Sequence, residues 1–153
     1  MLPSDIYYKI LNNLEDKDLV MACQTNQKYN EICNDQTFWL NRIVTKYPMI
    51  PTEILREFKG NRTWSDYYIY DLRKINPRQA NRTLVRAAKE GRLDLVILAL
   101  ALGADIHTMN DKPLRDAASR GNFEVVEYLI NNGANQRVIG GLGQMWGRVK
   151  RNW

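Results

Sequence analysis

The sequence predicts an all-α protein: an N-terminal helical bundle, a helical linker, then a short helix-turn-helix repeat stack. Three observations carry this. Apolar residues recur at helical spacing along most of the chain. Most Gly and Pro residues fall between those stretches, where helices start and stop. Residues 84–105 also recur as residues 114–135, at a constant offset of 30 and without a gap. Of the 153 residues 44% are hydrophobic and 25% charged, a balance that builds a core and excludes global disorder.

The elements follow in order. Ile6, Tyr7, Ile10, Leu11 and Leu14 form one wide apolar stripe, and Pro3 suits the first turn, where its missing N–H costs nothing. "EDKD" breaks the pattern, and Asp18 is the expected cap of a second helix carrying Leu19, Val20, Ala22 and Cys23. After "QTNQ" come Tyr29, Ile32 and Cys33. Asp35 should then cap a fourth helix bearing Phe38, Trp39, Ile43, Val44 and Tyr47, which Pro48 stops. "PTEILREFKG" supplies Ile54, Leu55 and Phe58 on one face, with Gly60 as its stop. In "TWSDYYIYDLRKI", Thr63 and Asp66 stand in a capping-box arrangement, and Trp64, Tyr67, Tyr68, Leu72 and Ile75 face inward. That aromatic cluster reads as packing, not as a base-stacking platform. "NPRQANR" is a turn before the next helix.

Each repeat has a physical logic. The Ala87-Ala88 and Ala117-Ala118 pairs let a short helix approach its neighbour closely, and Gly91 and Gly121 reverse the chain. Val96, Leu100, Val126, Leu129 and Ile130 form the buried stripe of a second, antiparallel helix that Gly103 and Gly133 end. One unit cannot bury its own stripe, so units stack. In the first unit, Ile97 and Leu102 stand where the second has Glu127 and Asn132, so that side needs a cover. The Trp64–Ile75 helix is the expected one.

"KPLRDAASRGNFEVVEYLINNGAN" resembles the ankyrin repeat closely, through Pro-Leu-x-x-Ala-Ala, the Gly turn and the terminal Gly-Ala-Asn. The usual period is about 33 residues. The residues missing here fall between Asp105 and Lys112, where the projecting hairpin would be, so its tip should be shortened. Units shortened in this way resemble those of large amoeba-infecting DNA viruses. The opening "LPSDIYYKILNNLEDKDLVMACQTNQKYNEICNDQTFW" is similar to an F-box: Leu2-Pro3, Ile10-Leu11, Leu14, Asp18-Leu19 and Phe38-Trp39 match its pattern. It departs from that pattern at "CQTNQKY", where Tyr29 takes the place of a tryptophan.

Four segments follow: an F-box-like residues 1–47, a helical linker 48–79, two ankyrin repeats over 80–136 (84–113 and 114–136), and a tail 137–153. The resemblance implies a substrate-recruiting adaptor of a cullin–RING ubiquitin ligase, at work in a host cytoplasm or nucleus. A Skp-family adaptor would dock on Leu2, Pro3, Ile6, Ile10, Leu11, Leu14, Leu19, Tyr29 and Trp39, although the same residues could form only the core of the bundle. An unknown target protein would be bound through His107, Thr108, Met109, Asn110, Asp111, Arg115 and Asp116. Two units should offer less than the ~800 Å² per partner of a standard interface unless the basic segment contributes.

Chemistry is sparse. His107 is the only histidine and has no evident nucleophile partner, so no enzyme, cofactor, metal site or small-molecule substrate is expected. Cys23 and Cys33 read as two buried free thiols of a reducing compartment, a disulfide or metal pair being the alternative. No apolar run of about 18 residues and no secretory signal is visible, which leaves Asn61-Arg62-Thr63 and Asn81-Arg82-Thr83 without meaning as glycosylation triplets.

Charge is uneven: net −2 over residues 1–55, +6 over 56–92 and +1 over 93–153. The basic middle reads first as solvated helix faces. Two rival functions remain, a plain ankyrin scaffold and a nucleic-acid binder using Arg56, Lys59, Arg62, Arg73, Lys74, Arg78 and Arg82. In the tail, Leu142, Met145, Trp146, Val149 and Trp153 share helical spacing beside Arg148, Lys150 and Arg151. That segment fits a capping helix, a remnant of a truncated array, or a helix lying on a membrane surface.

Overall fold

The computed structural model describes residues 3–141, and the segment 142–153 and Leu2 lie outside them. In chain order the helices are α1 (Ser4–Asn13), α2 (Asp16–Thr25), α3 (Gln27–Asn34), α4 (Gln36–Lys46) and α5 (Thr52–Lys59). They continue as α6 (Trp64–Tyr67), α7 (Ala80–Glu90), α8 (Leu93–Ala101), α9 (Thr108–Arg120) and α10 (Phe123–Asn131). The described residues contain no strand: the protein is all-α. Packing divides it into two compact units. One comprises residues up to Thr52 with Lys59–Lys74, the other Glu53–Phe58 with residues from Ile75 onward.

In the first unit, side chains set the helix starts. Asn26 accepts from the N–H groups of Lys28 and Tyr29 at 2.9 and 3.2 Å, and Asp35 from that of Thr37 at 2.9 Å. Asp18 is not a cap, contrary to expectation. α2 already begins at Asp16, whose carboxylate is held by residues far along the chain, and Asp18 sits in the first helical turn. The core collects Leu11, Leu19, Ile32, Phe38, Trp39, Ile43, Tyr67, Tyr68 and Leu72. Trp39 Nε1 donates to the Cys33 carbonyl at 2.7 Å, which satisfies the buried indole.

The free-thiol expectation is overturned. The turn between α2 and α3 folds Cys23 back onto Cys33 with Cα atoms 5.8 Å apart, and the two are joined as a disulfide. The aromatic helix also differs from a plain α-helix. After α6 the backbone widens into a π turn over Tyr68–Leu72, closed by the Arg73 N–H on the Tyr68 carbonyl at 3.0 Å. This lets the adjacent Tyr67 and Tyr68, and Leu72, all be buried.

In the second unit the repeat is visible bond by bond. Arg92 N–H donates to Ala87 O and Asn122 N–H to Ala117 O, both at 2.9 Å, across Gly91 and Gly121, each at φ +73°. Asp105 N–H meets Asn81 Oδ1 at 2.6 Å, and 30 residues on Asn135 N–H meets Asp111 Oδ1 at 2.8 Å. Asn122 ties the repeats together by donating to Ala88 O and Lys89 O at 2.9 and 3.0 Å.

A paired substitution tests this clamp. A Cβ at Gly91 would lie 2.9 Å from Asn122 Oδ1, whereas one at Gly121 meets nothing within 4 Å. Both variants bear the left-handed cost of about 1–2 kcal/mol. Gly91→Ala also displaces the Asn122 amide, so urea titration should find it about 1–2 kcal/mol less stable than Gly121→Ala.

α8 is buried on nearly every side. Ile97 is only 5% exposed, and Asp94 is fully buried in a fork with Arg92 Nε and Nη2 at 3.0 and 2.8 Å. The segment that joins this unit from outside the repeats is Glu53–Phe58, with the Arg92 guanidinium 5.4 Å over the Phe58 ring. The expected cover, the 64–72 helix, instead packs within the first unit, where Trp64 N–H donates to Gln36 Oε1 at 2.7 Å.

Candidate functional site

Two surfaces answer to the sequence expectations, one in each unit. In the first unit the residues expected to dock a partner divide their labour. Leu11, Leu19 and Trp39 lie in the core, while Ile10, Leu14 and Tyr29 are half-buried. Pro3 is exposed and Ile6 remains 36% exposed at the start of α1. Leu2 lies outside the described residues. Met21 on α2, 65% exposed, is a further apolar side chain that periodicity did not single out. It sits on the polar side of a weakly amphipathic helix, so no stripe marks it.

The frame behind that surface is an ionic network. Asp16 accepts from Arg42 Nη2 at 3.1 Å, from Lys46 Nζ at 2.9 Å and from the Tyr68 hydroxyl. Arg42 also donates to the carbonyls of Asn12 and Leu14 at 3.2 and 2.8 Å, covering the C-terminal end of α1. Burial alone would raise the Asp16 pKa, but the bonds from Tyr68, Lys46 and Arg42 outweigh it and hold the carboxyl below its ordinary 3.8. Burial likewise pushes Tyr47 up to about 12. These charges line a recess of about 500 Å³ but satisfy one another.

In the second unit the shortened tip is a left-handed turn. Met109, Asn110 and Asp111 have φ of 53°, 58° and 54°, an uncommon run for residues with side chains. Arg115 stabilises it by donating to the Met109 and Asn110 carbonyls at 2.8 and 3.0 Å. Asp111 is buried and binds His107 Nδ1 at 3.0 Å as well as the Asn135 N–H, so it positions the tip instead of presenting itself. His107, Met109, Asn110 and Arg115 are exposed, and Thr108 and Asp116 half-buried. Met109 is the most open at 68%.

Beside the tip runs a groove of about 770 Å³ between α7 and α9. Five of its lining residues are cations, Arg78, Arg82, Arg86, Lys89 and Lys112, against the single carboxylate of Asp116. Of these, the sequence expectation for a nucleic-acid binder includes only Arg78 and Arg82. The signal for Arg86 is its spacing from Arg82, four residues on along the same face of α7. The other proposed nucleic-acid contacts are dispersed: Lys59, Arg62, Arg73 and Lys74 belong to the first unit, and Arg62 is forked onto Asp71 at 2.8 and 3.0 Å. Among the described residues no group of three or more His, Cys, Asp or Glu could hold a metal ion, and no helix is long and apolar enough to cross a membrane.

Two helical interaction modules in one chain define the class. The F-box-like family matches residues 1–44, and the family described as ankyrin repeats (many copies) matches residues 84–135. The chain thus carries an F-box-like domain and ankyrin repeats, both non-catalytic modules that bind other proteins. A stretch of 40 residues, 26% of this chain, is 51% identical to an ankyrin repeat protein of Acanthamoeba polyphaga mimivirus. It spans 12% of the viral protein's own length. No solved structure matches the chain.

Proposed function

We propose that this protein is a substrate-recruiting adaptor of a cullin–RING ubiquitin ligase. Its F-box-like unit would dock on a Skp-family adaptor and its repeats would hold the target. The observation that carries this reading is the accessible apolar start of α1, where Pro3 is exposed and Ile6 is 36% exposed ahead of the buried Leu11. In this reading Pro3, Ile6, Ile10, Leu14 and Tyr29 are the docking face, and Leu11, Leu19 and Trp39 keep it rigid from behind. Burying four or five partly exposed apolar side chains, at up to about 1.5–3 kcal/mol each, offers enough to offset association costs.

The test is capture of a purified Skp-family adaptor by the full chain. Pro3→Ala/Ile6→Asp should lose capture by at least about tenfold, because a carboxylate in a dry helix-packing seam is strongly unfavourable. Thermal unfolding should fall only modestly, since Ile6 is 36% exposed, and circular dichroism checks that the helices persist. Undiminished capture by this variant would reject the docking face. Absence of capture by the parent chain would leave a protein-binding scaffold without a ubiquitin role.

A further inference from the structure

We propose that the α7–α9 groove binds a short acidic segment of the target, carboxylates on its arginines and an apolar side chain against Met109. The proposal rests on the reading of the repeats as the target-binding half and names the chemistry they select. Among the described residues no carboxylate pairs with Arg78, Arg82, Arg86 or Lys89, whereas Lys112 is held by Asp116 at 3.1 Å. A row of unpaired guanidinium groups along one concave wall is unfavourable by mutual repulsion, and a ligand bringing negative charge relieves it.

Spacing favours an extended peptide. Four residues along a helix advance about 6 Å, so Arg82 and Arg86 on α7 form two rungs about 6 Å apart, and Arg78 precedes them on the 3-10 turn Pro77–Gln79. Same-side side chains of an extended strand recur every ~6.7 Å, so alternate acidic residues fall opposite successive rungs. Guanidinium groups grip carboxylates bidentately.

Size points the same way. A folded partner needs ~800 Å² on its side of a standard interface, whereas a short linear segment can be held within a groove of about 770 Å³. The apolar part, Val85 on the wall and Met109 on the rim, supplies an adaptable contact for one hydrophobic side chain. Nucleic acid fits less well, because no aromatic side chain lines this groove for a base to stack upon. The chain's own residues 142–153 carry Arg148, Lys150 and Arg151 and no Asp or Glu, so their charge does not suit the groove.

Fluorescence anisotropy on the full chain tests this. The probes are a short labelled peptide alternating Glu and Ser around one Leu, the same peptide with Gln for Glu, and a single-stranded oligonucleotide of matched charge. The Glu peptide should bind at least about tenfold tighter than the Gln peptide, and added salt should weaken it. Arg82→Glu/Arg86→Glu should cost about tenfold or more. Lys9→Glu/Lys17→Glu, the same change in net charge placed in the first unit, should stay within about twofold. Circular dichroism checks the fold, and Arg82→Gln/Arg86→Gln gives a milder variant if the reversal perturbs it.

Equal binding of the Glu and Gln peptides, equal loss from both charge reversals, or tighter arginine-dependent binding of the oligonucleotide would overturn the proposal. Skp-family adaptor capture by Arg82→Glu/Arg86→Glu should be unchanged. Intact capture with no peptide binding therefore sinks the groove alone, and peptide binding without capture leaves the groove standing when the ligase reading falls.

Discussion

Ile97→Glu should lower the stability of the protein by about 4 kcal/mol or more, combining a lost apolar side chain with a buried unpaired charge. Ile97 is 5% exposed on a helix that is covered almost all round, so the carboxylate has little route to water. Domain stabilities of about 5–15 kcal/mol make this a large fraction of the total. The corresponding residue of the next repeat, Glu127, shows that the repeat geometry itself tolerates an acid at this register. What differs is the cover. Ile97→Val, which keeps the contact and removes one methyl, should cost only about 1 kcal/mol. Chemical denaturation followed by helical signal reads both, and a glutamate that left the midpoint unmoved would show that the α8 surface is open.

Asp16→Ala should remove about 3 kcal/mol at neutral pH, because it deprives Arg42, Lys46 and the Tyr68 hydroxyl of their common acceptor at once. The loss should depend on pH in a definite direction. The folded carboxyl is held below 3.8, so its contribution is fully present above the ordinary carboxyl range and fades as pH falls through the lowered folded value. Parent and variant should therefore differ most near neutrality and converge in strong acid. Asp35 is shifted the same way, chiefly by the Tyr8 hydroxyl at 2.7 Å, so some acid sensitivity should survive in the variant. A difference between the two proteins that stayed constant down to strong acid would mean that Asp16 acts by packing, not by charge.

Much of the architecture could be read from residues because its determinants are local. Gly91 and Gly121, the alanine pairs and the Val and Leu stripes state the same helix reversal twice, and the structure repeats the bonds as well. Asp35 accepts from the Thr37 N–H, two residues on, at the start of the helix it caps. What escaped reading depended on distant chain. Asp16 lies 26, 30 and 52 residues from Arg42, Lys46 and Tyr68, and no periodicity reveals that convergence. Cys23 and Cys33 needed the angle of a helical turn, not just their spacing. Of the docking residues, the stripe gave α1 as a whole but could not separate Leu11, which goes inward, from Ile6, which does not. The basic groove was legible as charge, but only tertiary structure tells which arginines lack a carboxylate partner.

The alternation of the chain between its two compact bodies has a consequence for how the molecule can be handled and inherited. The backbone leaves the first body after Thr52, lends Glu53–Phe58 to the second, returns for Lys59–Lys74 and departs again. No single scission can liberate both halves intact. A cut after residue 58 strips the F-box side of its aromatic strut, and one after residue 74 robs the repeats of Leu55 and Phe58. Recombination that swapped one recognition end for another would thus have to carry the interleaved stretch along with it.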